Sequence, residues 1–273
     1  MSDIRRIDLG TPALLEFRGP DAVRFLNGQI TQDVRRVAGG EISLPSCVTD
    51  AKGKLQFRIT LTAAPNGELW VAGLANHAEE LEARLTRYLI ADDVEVTSLT
   101  NTYTLHHFLG KMPAPPPGGL ARASNRYGVA GTDWWLPTGR TIDHPLLGHD
   151  ELEALRIANG VPVWGRELIA GMLPPEALLE ATDISYQKGC YVGQEVISRI
   201  KSAGKVNKRL TRFIIAAQAP VIPGSLENSA GEVTSVSPLA VGEIRHALGY
   251  VKRGAVDWIY KAADSSLWPV RAA

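Results

Sequence analysis

Leu55, Phe57, Ile59 and Leu61 alternate with Gln56, Arg58, Thr60 and Thr62, the period-two pattern of a strand with one buried and one wet face. Pro65-Asn66-Gly67 then turns the chain back into Leu69-Trp70-Val71, completing a hairpin. Upstream, Ala22, Phe25, Leu26 and Ile30 recur at helical spacing behind Pro20 and Asp21, which predicts a helix over 20–30. Downstream, Asn76 is a good helix cap, and Leu81, Leu85 and Leu89 lie four apart, with Glu80 and Arg84 paired at i,i+4 on the outer surface. Helix, strand, hairpin and helix in this order predict an α+β fold rather than a regular alternation of parallel strands and helices.

Lys111-Met-Pro-Ala-Pro-Pro-Pro-Gly-Gly119 is the clearest break, because its prolines continue neither a helix nor an inner strand. It marks an exposed loop or a boundary between lobes. Gly148-His149-Asp150 opens a helix carrying Leu152, Leu155 and Ala158, which Gly160 ends, and Pro174-Pro175-Glu176 opens another short helical piece. From Lys208 onward, Leu210 to Ile215, Val233 to Val236, Ala247 to Val251 and Trp258 to Tyr260 are short β-rich runs with the rhythm of a small barrel or sandwich. The expected organisation is an α+β body over 1–204, in two lobes divided near 111–119, and a C-terminal β-barrel over 205–273.

The 273 residues are 45% hydrophobic and 21% charged, an ordinary globular composition that excludes a disordered chain, a collagen-like fibre and a coiled coil. Lysine plus arginine number 29 and so do aspartate plus glutamate, so no global field draws the molecule to nucleic acid or an anionic membrane and electrostatic recognition has to be local. Apolar runs fall far short of the roughly 20 residues that cross a bilayer. Arg5 and Arg6 are followed by Asp8 and by no apolar stretch, so the cytoplasm is the expected location. There is no GxxxxGK[ST], no GxGxxG after a strand and no GxSxG, which lowers nucleotide hydrolysis, dinucleotide redox chemistry and ester hydrolysis together. His106 and His107 face opposite sides of a strand, and two cysteines, Cys47 and Cys190, are too few for a cluster held by this chain alone. No metal site is expected.

Residues 185–200 carry most of the chemistry. Gly189 and Gly193 bracket Cys190 with freely rotating backbone. Val196, Ile197 and Ile200 form the buried side of a short helix, with Gln194 and Glu195 in its first turn. A thiol at that place, two residues from Lys188, has a nearby cation and a helix amino end to favour its ionisation, and the alternative is a small buried hydrophobe. Cys47, in the stretch Leu44 to Val48, lacks such neighbours and reads as core. Glu195 pairs with Arg199 on the helix surface, or its carboxylate accepts two parallel N–H donors from a heterocycle; spacing leaves both open.

The run Lys188-Gly-Cys-Tyr-Val-Gly-Gln-Glu195 resembles the signature of the YgfZ family, folate-binding proteins related to the glycine cleavage aminomethyltransferase, or T-protein. Gly19-Pro-Asp-Ala22 with Phe25-Leu26, Gln29-Ile-Thr-Gln-Asp33, Asp50-Ala-Lys-Gly-Lys54, Leu155 to Val163 and Gly231-Glu-Val-Thr-Ser235 match in family order over most of the chain. The resemblance implies interleaved α+β lobes of the aminomethyltransferase folate-binding type around a central cavity, followed by a small C-terminal barrel. It implies tetrahydrofolate as cofactor and a part in assembling or repairing iron–sulfur enzymes, linked in bacteria to tRNA modification, without a defined catalytic turnover. The family's cysteine carries over to Cys190 with Lys188 beside it; Gly189, Tyr191, Gly193, Gln194, Glu195 and Arg156 are the matching positions expected at the folate. Two departures stand out. Gln56 and Phe57 occupy the place of the acidic pair that aminomethyltransferases carry after Gly53-Lys54-Leu55, and Thr11-Pro12-Ala13 lacks a tryptophan that some members place near the folate.

Between Glu195 and Glu227 no acid occurs, while Arg199, Lys201, Lys205, Lys208, Arg209 and Arg212 all do. These side chains are expected to attract the glutamate tail of a folate or a phosphate backbone, or to be a solvated linker. Three functions are therefore weighed: a folate-binding accessory protein of iron–sulfur metabolism whose partners are client or assembly proteins and tRNA; a folate-dependent one-carbon transferase; and RNA binding without chemistry.

Overall fold

The computed structural model describes residues 4–110, 114–256 and 258–273; the start of the predicted proline-rich break, 111–113, lies outside the described residues. The chain forms two compact units, Met1–Leu146 with Glu180–Ser198, and Leu147–Leu179 with Arg199–Ala273. The β-rich C-terminal part thus packs together with residues 147–179 in the second unit.

In the first unit, β1 (Arg6–Asp8), β2 (Ala13–Arg18), α1 (Ala22–Gln29), β3 (Leu44–Thr49), β4 (Leu55–Ala63), β5 (Leu69–Gly73), α2 (Ala78–Thr86), β6 (Glu95–Ser98), β7 (Tyr103–Leu109), β8 (Leu120–Ser124) and β9 (Gly131–Pro137) follow in chain order. They make one sheet in the order β3-β4-β5-β2-β6 and another in the order β1-β7-β9-β8. Successive side chains on a strand point to opposite faces, and here both faces of the five-stranded sheet are covered. Leu15, Phe17, Ile59, Leu61 and Val71 meet Phe25 and Leu26 of α1 and Leu81 and Leu85 of α2. Leu14, Trp70 and Ala72 on the other face meet Leu105, Leu120 and Trp135. The result is a layer of helices, a five-stranded sheet and a four-stranded sheet.

That second covering corrects the expected wet face of β4. Thr62 is fully buried because it stands opposite Trp70 in the β4–β5 register, under the four-stranded sheet. The helices also differ in detail. α1 starts at Ala22, two residues after Pro20, and Asn76 lies inside a tight turn at Ala75–His77 without capping α2. Arg84 does not pair outward with Glu80. It occupies the buried stripe Leu81, Arg84, Leu85, spaced i, i+3, i+4, and its guanidinium donates to Gln56 Oε1 at 2.7 Å, Gln29 Oε1 at 3.1 Å and the Thr49 carbonyl at 2.7 Å.

The paired histidines of β7 do point apart. His107 Nδ1 lies 2.7 Å from Asp133 Oδ1, with both side chains fully buried, and His106 Nε2 lies 3.1 Å from Thr104 Oγ1. Burial alone would raise the Asp133 pKa; the Arg126 guanidinium and His107 outweigh it and bring the carboxyl down to about 2.

The second unit contains α3 (His149–Ala158), the later part of α4 (Gln194–Ala203) and all of β10 to β16. β10 (Lys208–Ala216), β11 (Gly224–Leu226), β12 (Gly231–Val241), β13 (Ile244–Lys252), β14 (Ile259–Ala262), β15 (Leu267–Pro269) and β16 (Arg271–Ala272) form one antiparallel sheet in the order β15-β14-β11-β12-β13-β10-β16. The sheet curls until β15, at one edge, comes back to β10 near the other, a barrel-like closure around Phe213, Val233, Val251 and Tyr260. Among the described residues, no helix is long and apolar enough to cross a membrane.

Candidate functional site

The segment 182–193 is sewn to residues 27–33 along its whole length. The Thr31 hydroxyl donates to the Asp183 carbonyl at 2.7 Å, Gln32 Nε2 to the Thr182 carbonyl at 2.9 Å, and the Ser185 amide to the Thr31 carbonyl at 3.0 Å. Asp183 is itself fully buried and takes two bonds from Arg58, the shorter 2.7 Å. Two stretches singled out in the sequence, 29–33 and 188–195, are therefore neighbours in space.

Lys188 is the strongest of these ties. Its ammonium reaches the carbonyl oxygens of Asn27 at 2.5 Å, Ile30 at 2.6 Å and Gln32 at 3.1 Å, and only 8% of the residue is exposed. In the charged form all three protons of the amine go to main-chain oxygens at and beyond the carboxyl end of α1, where unpaired carbonyls and the helix dipole favour a cation. The expected use of this cation, ionising the Cys190 thiol, is not what its hydrogen bonds serve: they face into the fold. Burial pulls its pKa down to about 7, against an opposing pull from Asp33.

Beyond Lys188 the chain turns outward. Gly189 and Cys190 are exposed and Tyr191 is buried. The Tyr191 ring lies 4.9 Å from the Lys188 ammonium, a cation–π contact, and its hydroxyl is buried without a hydrogen-bond partner among the described residues; burial raises its pKa. The other cysteine behaves as the sequence suggests. Cys47 sits fully buried on β3, and burial pushes its thiol well above the ordinary value.

The turn after Cys190 is locked by a close backbone contact. The Val192 amide donates to the Gly28 carbonyl at 3.2 Å and the Thr49 hydroxyl to the Val192 carbonyl at 2.6 Å. Gly193 adopts φ +88°, and a Cβ there would stand 2.4 Å from the Asp50 carbonyl oxygen and 2.9 Å from Gly53 Cα. Only glycine fits such an approach in this conformation. The facing loop is shaped by Asp50, whose Oδ1 accepts the amides of Lys52 and Lys54 at 2.8 Å each. α4 then begins at Gln194 with Glu195 exposed in its first turn and Ile197 buried.

Not every expected site residue belongs to this loop. Arg156 lies in the second unit, 1% exposed, with its guanidinium filled by Glu153, Glu167, the Val161 carbonyl and Ser235. Burial would raise the Glu153 pKa, but Arg156 and Arg166 hold it down to about 2. Arg199 is exposed on the later part of α4. Sequence reasoning missed Arg84, which anchors Gln29 and Gln56 from the core; its place on the apolar stripe of α2 was the available signal.

Two outcomes test this geometry. Gly193→Ala should cost about 1–3 kcal/mol of unfolding free energy, whereas Gly189→Ala, where a Cβ would meet nothing within 4 Å, should stay within about 0.5 kcal/mol; equal losses in denaturant unfolding would reject the lock. Lys188 titrates near 7 when folded but near 10.4 when unfolded. Between those values the unfolded chain binds the extra proton, so the group's contribution to stability rises with pH. The stability of the wild type relative to Lys188→Met should therefore increase from pH 7 to pH 9 by up to about 1.4 kcal/mol per unit; a difference independent of pH would contradict the burial of this amine.

No family model matches the chain. It is 27% identical over 253 residues to the tRNA-modifying protein YgfZ of Sodalis glossinidius, covering 83% of this chain and 76% of that protein. It is 26% identical over 289 residues to the tRNA-modifying protein YgfZ of Serratia proteamaculans, covering 96% and 82%. Among solved structures, the glycine cleavage system aminomethyltransferase T from Bartonella henselae matches with a TM-score of 0.80 over 99% of this chain and 85% of that one, at 17% identity, a likeness that concerns the fold. The chain has the aminomethyltransferase fold, and in sequence it resembles the YgfZ proteins over most of its length.

Proposed function

We propose that this protein is a tetrahydrofolate-binding accessory factor in the assembly or repair of iron–sulfur enzymes, acting on tRNA modification through them, with Cys190 as the group that meets the partner. The observation that carries this reading is the contrast between the two thiols: Cys47 is sealed in the core, and Cys190 stands exposed on a loop fixed at both ends. A structural cysteine needs no such presentation. The name shared by the relatives supports the connection to tRNA.

The donor set suits a reduced pterin. Glu195 is an exposed carboxylate able to accept two N–H donors from a heterocycle edge, Gln194 beside it can both donate and accept, and the Tyr191 hydroxyl is buried with no hydrogen-bond partner among the described residues. Tetrahydrofolate would supply a carrier for one-carbon units. The chain's own contribution is to orient it: Glu195 and Gln194 hold its polar edge, and the Gly193 turn keeps the first turn of α4 in place. A one-carbon transferase is the weaker reading. Where the aminomethyltransferases carry acids, this chain has Gln56, whose amide oxygen is occupied by Arg84, so no carboxylate is available there to position an amine.

The test is rescue of bacterial cells lacking their own YgfZ, read as tRNA thiolation and iron–sulfur enzyme activity, with calorimetric titration of tetrahydrofolate into the purified chain alongside. The wild type should restore both activities and bind the ligand, Cys190→Ala should bind it and restore neither, and Glu195→Gln should weaken binding by about tenfold, or 1.4 kcal/mol. Undiminished rescue by Cys190→Ala would reject the role of the thiol, and absent titration heat with unchanged protection from unfolding would reject the ligand.

A further inference from the structure

The second unit contains a cavity of about 570 Å³ that belongs to neither the thiol loop nor the buried arginine network, bordered by the strands β10 to β14 and the turn between β11 and β12. Register explains how it arises. Lys261 stands opposite Ser225, Ser225 opposite Glu232, Glu232 opposite Tyr250, and Lys252 opposite Lys208. Directly paired residues share a face, as do residues two apart. These six side chains therefore lie on one face of the sheet, away from the core positions Leu226, Val233 and Val251, and three lysines from three strands line the cavity.

The charges are not uniform. Lys208 lies 4.3 Å above the Tyr250 ring and 3.8 Å from Glu232, while Lys252 and Lys261 are exposed and have no ion pair among the described residues. Glu227 adds a second carboxylate at the rim. A ligand placing several phosphates on this face would meet repulsion from these two acids. A ligand with one phosphate and a neutral end rich in hydroxyl or amine donors would satisfy both halves, the amines taking the phosphate and the carboxylates accepting from the donors. Of the biological molecules with that division, a single ribonucleotide unit suits the volume.

The rim is also strained. Asn228 has φ 55° and ψ 27°, and Ser229 next to it has φ 55°, two successive non-glycine residues in the left-handed region, which L side chains enter at a cost and which clusters at ligand-binding turns. Both line the cavity.

We propose that this face of the second unit binds a ribonucleotide, with Lys252 and Lys261 holding the phosphate and Glu232 and Glu227 accepting hydrogen bonds from the ribose or base. The nucleotide is either free or one unit of an RNA chain. The site shares no residue with the thiol loop, so Cys190→Ala leaves its lining intact, and a failure here is distinguishable from a failure of the folate reading.

The test uses the full chain with 5′-AMP in equilibrium dialysis, inorganic phosphate and 2′-deoxy-AMP as comparisons, and a second arm in which AMP competes with transfer RNA. AMP should bind saturably, and more tightly than the deoxy form. Lys252→Ala with Lys261→Ala should weaken it about tenfold or more with an unchanged circular dichroism spectrum and melting curve, while Lys201→Ala with Lys205→Ala should not. Displacement of RNA by AMP assigns the unit to an RNA chain, and AMP binding without displacement assigns it to the free nucleotide. Binding of inorganic phosphate as tight as that of AMP, affinity unchanged by the Lys252 and Lys261 substitutions, or no saturable binding in either arm overturns the proposal.

Discussion

One buried ammonium holds the functional loop to the fold. In its charged form Lys188 gives all three protons to carbonyl oxygens of residues 27, 30 and 32, groups that the end of α1 leaves without helical partners. An ammonium removed from water is costly unless each proton finds an acceptor, so the side chain has one satisfactory position. The segment that follows inherits its direction. Gly189 and Cys190 leave the core, Tyr191 returns to it over the same ammonium, and the Gly193–Gly53 approach fixes the entry into α4. Exposure of the thiol is a consequence of where the lysine is anchored.

The same economy recurs through both units, in which buried charge is matched by named partners. Arg84 is met by two amide oxygens and a carbonyl, Asp183 by Arg58, Asp133 by Arg126 and His107, and Arg156 by Glu153 and Glu167. Such networks add little net stability compared with an apolar core, but breaking one member leaves an uncompensated charge. They fix the relative placement of strands and loops within each unit. In the first unit the Arg58–Asp183 pair lies where the 182–193 segment begins, and Gly189, Cys190 and Glu195 are the exposed positions of the stretch that follows.

The sequence was informative where local chemistry decides structure. The hairpin at Pro65–Gly67, the helix over Leu152 and Leu155, the short strands after Lys208 and the opposite orientations of His106 and His107 follow from spacing and turn residues. The contrast between Cys47 and Cys190 was legible for the same reason, since one lies in an apolar strand and the other between glycines. It was less informative where a distant layer decides. Thr62 reads as solvent-facing until a second sheet covers Trp70 beside it. Arg84 reads as a surface partner of Glu80 until Gln29 and Gln56 supply acceptors inside. Lys188 reads as a neighbour of Cys190 because sequence distance is short, although its real partners lie more than 150 positions away. The lysines of the second unit, at 208, 252 and 261, become neighbours only through the register of four antiparallel pairings.

The claim that the Lys188 anchor presents one thiol and the core withholds the other is most directly tested by native-state alkylation followed by peptide mass spectrometry. The structure calls for rapid modification of Cys190 alone, with Cys47 reacting only as the protein unfolds in denaturant. Protection of Cys190 in the native protein, or modification of both cysteines at the same rate, would contradict it.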